Sequence, residues 1–159
     1  MRYRTANHRG ISVSAYERTG WRDEKLSARH RLWGHNCPMV DLDFLVVEYN
    51  HGKPVGLIEF KHFGAEKPDI EHPTYRALIE LSNLASLPFL VVFYDNEDWW
   101  FRVYPINDAA KVHYKKGQIM SEREFVRSLY RLRGIVMSDH GFAKLNVFKP
   151  EPTAILAEK

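Results

Sequence analysis

The chain has 159 residues, 45% of them hydrophobic and 27% charged, which is ordinary for a soluble domain able to bury a core without staples. Its single cysteine, Cys37, excludes an internal disulfide framework and a cysteine-based zinc site. The net charge of +3 is unevenly spread: residues 1–34 hold eight Arg/Lys against three acids, residues 35–72 three against seven, and residues 111–149 nine against three. An acidic centre between basic flanks suits a metal site within a phosphate-binding surface, although solvated charge gives the same counts.

The first ten residues are polar and basic, so no secretory signal is expected there. The longest apolar run, Leu87 to Tyr94, is too short to span a bilayer, and a soluble, cytoplasmic protein with no membrane partner is expected. Residues 1–19 lack periodicity and read as an N-terminal arm. From Asp23 to Trp33 the spacing of Leu26, Arg29/His30 and Trp33 predicts a helix, with Gly34 placed to end it. That helix and its approach carry Arg22, Lys25, Arg29 and Arg31, candidates for contact with nucleic-acid backbone phosphates.

Two strands follow, Asp41 to Tyr49 and Val55 to Lys61, joined through Asn50-His51-Gly52. If that turn holds three residues with Gly52 left-handed, Tyr49 pairs with Lys53, Asp43 faces Glu59 and Asp41 faces Lys61. Period-two alternation then places Asp41, Asp43, Glu59 and Lys61 on one face of the hairpin. Half-buried strands rarely hold such residues, and carboxylates held together repel unless protons or a cation compensate. Hard oxygen ligands suit Mg²⁺ or Mn²⁺, and an adjacent lysine can orient a metal-bound water or offset charge on a phosphate. A salt-bridged edge hairpin is the plainer explanation of the same residues.

After the loop 63–72, Pro73 opens a predicted helix to about Ser86, with Tyr75, Leu78, Ile79, Leu81, Leu84 and Ala85 as an apolar stripe. Phe89 to Tyr94 reads as a strand buried on both faces, Asp95 to Asp98 as a turn, and Trp99 to Tyr104 as the returning strand. Trp99 and Trp100 are candidates for base stacking, with at least one expected inward. Asn107 to Gly117 reads as loop with a short strand at Val112-His113-Tyr114. Ser121-Glu122-Arg123-Glu124 has capping-box form, opening a helix to about Arg133 with Gly134 as its stop. Residues 136–159 read as a C-terminal extension. One domain is expected, with a core over about 20–135 and an α/β fold, a central mixed sheet flanked by helices.

Asp43, followed across a hairpin by Glu59-Phe60-Lys61, resembles the signature of the PD-(D/E)XK nuclease superfamily, which includes restriction endonucleases and Holliday-junction resolvases. The resemblance covers roughly residues 20–95 and implies a restriction endonuclease-like core. It also implies a Mg²⁺- or Mn²⁺-dependent nuclease acting on DNA, with Asp43 and Glu59 on the metal and Lys61 catalytic. Asp41 is a further candidate ligand, and a glutamate of the first helix is implied too, for which Glu24 is the candidate and Glu17 the reserve. A domain without a separate recognition module can act on DNA shape as a homodimer, as resolvases do. The alternative from another class is a catalytically silent module of this fold that binds nucleic acid or a protein partner.

Overall fold

The computed structural model describes residues 42–136 and 142–150, together with residues 7, 8, 11, 12, 29, 32 and 40. The chain divides into two compact units, Met1–Val40 and Asp41–Lys159. In the first, β1 (Asn7–His8) and β2 (Ile11–Ser12) pair antiparallel, so the expected arm contains a short strand pair. Most of the predicted first helix lies outside the described residues; of it, Arg29 and Leu32 are exposed, and the Leu32 amide donates to the Arg29 carbonyl.

The second unit is built on a five-stranded mixed sheet in the order β3 (Phe44–Glu48), β4 (Lys53–His62), β5 (Phe89–Tyr94), β6 (Trp100–Pro105), β7 (Gln118–Ser121). All neighbours are antiparallel except β4 and β5, which run parallel. A parallel pair needs a crossover, and α1 (Pro73–Leu84) supplies it. The short α2 (Asp108–Lys111) and α3 (Glu122–Leu132) complete the unit.

Alternation along β4 divides the packing. Leu57 faces a cluster with Phe89, Val91 and Phe93 of β5 and Leu78 of α1, against which Tyr75 and Ile79 pack. Ile58 faces the other cluster, with Leu90, Val92, Phe101, Val103, Met120 and Phe125 of α3. Helices therefore cover both sheet faces, and β5, buried almost throughout, is the all-apolar strand its sequence predicts.

Helix ends follow local chemistry. Pro73 opens α1 after His72, whose ring nitrogen accepts from the Thr74 amide at 3.3 Å. The predicted capping box is present: Ser121 Oγ accepts from Glu124 N, and Glu124 Oε2 accepts from Ser121 N at 2.8 Å. Gly134 follows α3 at φ 70, as its predicted stop requires.

One sequence expectation fails between Asn107 and Gly117. Val112-His113-Tyr114 is not a strand, because Asn107 caps α2 and the Ala110 carbonyl goes on accepting from the amides of His113 and Tyr114. The chain thus keeps turning and delivers Tyr114 to the core, where its hydroxyl meets Ser128 Oγ at 2.9 Å. Instead β7 forms just beyond Gly117, pairing with β6.

Candidate functional site

The hairpin β3–β4 is the frame of the site. Its turn has four residues, because Glu48 pairs with Lys53. The Glu48 carboxylate sets that turn: it accepts from the amides of Asn50 and His51 and from His51 Nδ1, at 3.3, 2.9 and 2.7 Å. The turn closes with the Gly52 amide donating to the Tyr49 carbonyl, with Gly52 at φ 61 as expected. The expected pairing of Tyr49 with Lys53 is therefore wrong at the turn. Between Val46 and Val47 the register shifts, since Val46 faces Gly56 while Val47 faces Pro54, leaving Val55 as the extra residue of a bulge. Beyond the bulge Phe44 faces Ile58, so the next step outward sets Asp43 against Glu59, as the sequence predicts.

Asp43 lies immediately before β3, exposed, and its Oδ2 accepts from the Phe60 amide at 3.2 Å. Lys61 donates to Glu59 Oε1 at 2.6 Å, across two residues of one strand face. The Glu59 side chain is 14% exposed and that of Lys61 33%. Burial pushes the Glu59 carboxyl above its ordinary value, opposed by the hydrogen bond from Lys61 and reinforced by the charge of Asp43. The bond to Glu59 raises the Lys61 ammonium in turn, against its own desolvation. Asp43, Glu59 and Lys61 are thus brought together as the sequence predicts.

A fourth group at the site is Tyr75 of α1, which the sequence placed in the core stripe. Its hydroxyl is buried without a hydrogen-bond partner. Burial raises its pKa, opposed by the charge and the polar contact of Lys61, while the charges of Glu59 and Asp43 add to the rise. Lys61 is therefore beside it, short of a well-formed hydrogen bond. A tyrosine is the most polar member of the α1 stripe, and that was the available signal.

The two described carboxylates fit a hard divalent cation. They converge on one face, and Glu59 is raised partly by its like-charged neighbour, which a cation between them relieves. Among the described residues no cluster of three or more His, Cys, Asp or Glu able to hold a metal occurs. Two protein carboxylates still suit Mg²⁺, which keeps several of its waters. The remaining expected ligands Asp41 and Glu24, with Glu17, lie outside the described residues, as do Arg22, Lys25 and Arg31. Arg29 is exposed.

The aromatic candidates and the remaining polar residues of the unit fall elsewhere. His62 projects from the opposite face to Lys61, edge-on to Tyr94 and within 3.2 Å of Asn96 Oδ1. Trp100 is buried against Phe63. Trp99 is 45% exposed, at φ 52, stacked on Tyr94. It follows Asp95, Glu97 and Asp98, surroundings that oppose a polyanion. Arg127 of α3 lies over the Phe142 ring at 4.8 Å, and α3 covers the Ile58 face of the sheet, away from Glu59 and Lys61.

Among the described residues, no helix is long and apolar enough to cross a membrane. Comparison with family models, curated proteins and solved structures found no match to this chain.

Proposed function

We propose that the chain is a Mg²⁺- or Mn²⁺-dependent nuclease of PD-(D/E)XK type that hydrolyses phosphodiester bonds in DNA. The observation that carries this reading is the convergence of Asp43, Glu59 and Lys61 on one face at the open end of the β3–β4 hairpin. Four further features agree with a restriction endonuclease-like core: the hairpin, the crossover helix α1, β5 parallel to β4, and helices on both sheet faces.

In this reading Asp43 and Glu59 hold the cation, which supplies an activated water and Lewis-acid polarisation of the phosphate. Lys61 is an ammonium at neutral pH and offsets charge on the phosphoryl oxygens as the bond breaks. The β4 backbone fixes Glu59 and Lys61 two residues apart, so ligand and cation keep their spacing. The basic residues 1–34 supply attraction for the DNA backbone.

The test is cleavage of linear, branched and single-stranded DNA with Mg²⁺ or Mn²⁺, comparing wild type with Glu59→Gln and Lys61→Ala. Metal-dependent cutting lost in both variants is expected. A wild type that cuts no substrate better than Lys61→Ala defeats the enzyme reading. Metal-independent DNA binding that survives Glu59→Gln, without cutting, marks the silent binding module instead.

A further inference from the structure

Tyr75 sits in the first turn of α1, packed against the cluster around Leu57 on the face that also carries Glu59 and Lys61. Its buried hydroxyl has no hydrogen-bond partner, and a native structure rarely leaves such a group without a use. The charges of Lys61, Glu59 and Asp43 all reach it. Lys61 meanwhile donates to a single carboxylate, that of Glu59. An ammonium has three donors, and a carboxylate engaged by a divalent cation is a weaker acceptor for a second positive group. Lys61 then needs another acceptor, or its long side chain swings into solvent.

We propose that Tyr75 is the positioning residue for Lys61: its hydroxyl accepts from the Lys61 ammonium when the Glu59 carboxylate is engaged elsewhere, and so keeps the lysine over the site. This deepens the nuclease reading and rests on it only for the kinetic consequence. The neutral hydroxyl does not compete for the cation, so it can hold Lys61 while Asp43 and Glu59 serve as ligands. In the structure described, Lys61 donates to Glu59 and lies beside the Tyr75 hydroxyl without a well-formed bond to it; in the proposal the two partners alternate.

The experiment is NMR of the lysine ε-methylene groups, reading the mobility of the Lys61 side chain in the full chain without metal. Wild type, Glu59→Met, Tyr75→Phe and the double variant are compared, with Glu59→Ala in place of Glu59→Met should that variant not fold. Lys61 is expected to stay ordered in each single variant and to become as mobile as a surface lysine only in the double. Equal mobility in Glu59→Met and the double variant overturns the proposal. Tyr75→Phe is expected to melt no lower than wild type, since the hydroxyl has no well-formed bond to lose; a clear fall in melting temperature contradicts this. In cleavage assays Tyr75→Phe should lose about 10-fold or more in kcat with KM unchanged, the size typical of residues that orient a catalytic group. An unchanged kcat beside an active wild type also overturns the proposal. A wild type inactive on every substrate defeats the nuclease reading alone, and the Lys61 mobility comparison still decides the role of Tyr75.

Discussion

Asn107→Ala is the substitution whose cost can be worked most directly from the contacts. Asn107 is buried between the end of α1, the start of β5 and the start of α2. Its Oδ1 accepts from the amides of Phe89 and Ala110 at 3.0 and 3.1 Å, and its Nδ2 donates to the Leu87 carbonyl at 2.8 Å. The same Nδ2 lies 3.1 Å from both Ser82 Oγ and Asn83 Oδ1. Alanine removes the α2 cap, worth about 1 kcal/mol. It also strands the Phe89 N–H and the Leu87 carbonyl, each costing roughly 1–3 kcal/mol when buried and unpaired. These contributions share one side chain and do not add fully, so a loss of about 3–4 kcal/mol is expected. For a chain of this size that lowers Tm by roughly 10 °C. Urea unfolding followed by circular dichroism measures it, with an unchanged slope showing that the variant unfolds to the same state. Asp108→Ala is the control: Asp108 pairs with Lys111 at 2.8 Å, but its side chain is 98% exposed, and no measurable change is expected. A loss under about 1 kcal/mol for Asn107→Ala would refute the accounting, because it would mean that the stranded groups find water or other partners.

Two further outcomes follow from charges in the hairpin. Lys61→Met leaves the ionised Glu59 half-buried without its cation, so its carboxyl should rise further above 4.5. A folded pKa above the unfolded one means stability is lost as pH rises through that window; the variant should therefore be near wild type at acid pH and weaker by about 1–2 kcal/mol near pH 8, the partial exposure keeping the cost below that of a deeply buried pair. Equal losses at both ends of a pH series of thermal melts would count against this. Glu48 behaves oppositely, since the hydrogen bond from His51 holds its carboxyl below 4.5. The stability that bond contributes is present above pH 4.5 and disappears as pH falls through the depressed value, so the Tm gap between wild type and Glu48→Gln should be open at pH 6 and narrow as the solution is acidified below pH 4.5. A gap of constant width over that range would rule it out.

The sequence shows the Gly134 stop, the capping box and β5 plainly, because each rests on interactions among neighbouring residues. The hairpin is more instructive. Counting from a three-residue turn reaches the correct facing pair, Asp43 and Glu59, through two departures that cancel: the turn has four residues, and the bulge at Val55 restores the count. Neither is visible in the residue types, since Glu48 reads as a strand position and becomes a turn cap only when its carboxylate folds over Asn50 and His51. Period two within each strand is indifferent to both, which is why the shared face of Glu59 and Lys61 was legible. β7 was not legible because its four residues, QIMS, are too short for alternation and are defined by their partner β6. Tyr75 was hidden for a different reason. Its ring belongs to the core stripe, and only the tertiary placement of α1 over β4 turns its hydroxyl towards Lys61.

Phe60, between the two charged residues, holds the site as firmly as either of them. Its ring projects to the opposite face and sits among Phe44, Tyr94, Phe101 and Phe125, with centroids 5.1, 6.2, 6.5 and 6.1 Å away. Its backbone amide, meanwhile, donates to Asp43. One residue therefore anchors β4 in the core and ties down the carboxylate that faces Glu59. A slip of β4 by a single residue would exchange the faces, driving Glu59 and Lys61 into an aromatic cluster and the phenyl ring out to water. Burying an ionised pair in apolar surroundings costs several kcal/mol per ion, far more than a strand gains from any alternative pairing. The sheet face from which Glu59 and Lys61 project is thus set by the hydrophobic residue between them, and their own hydrogen bond acts only after that choice is made.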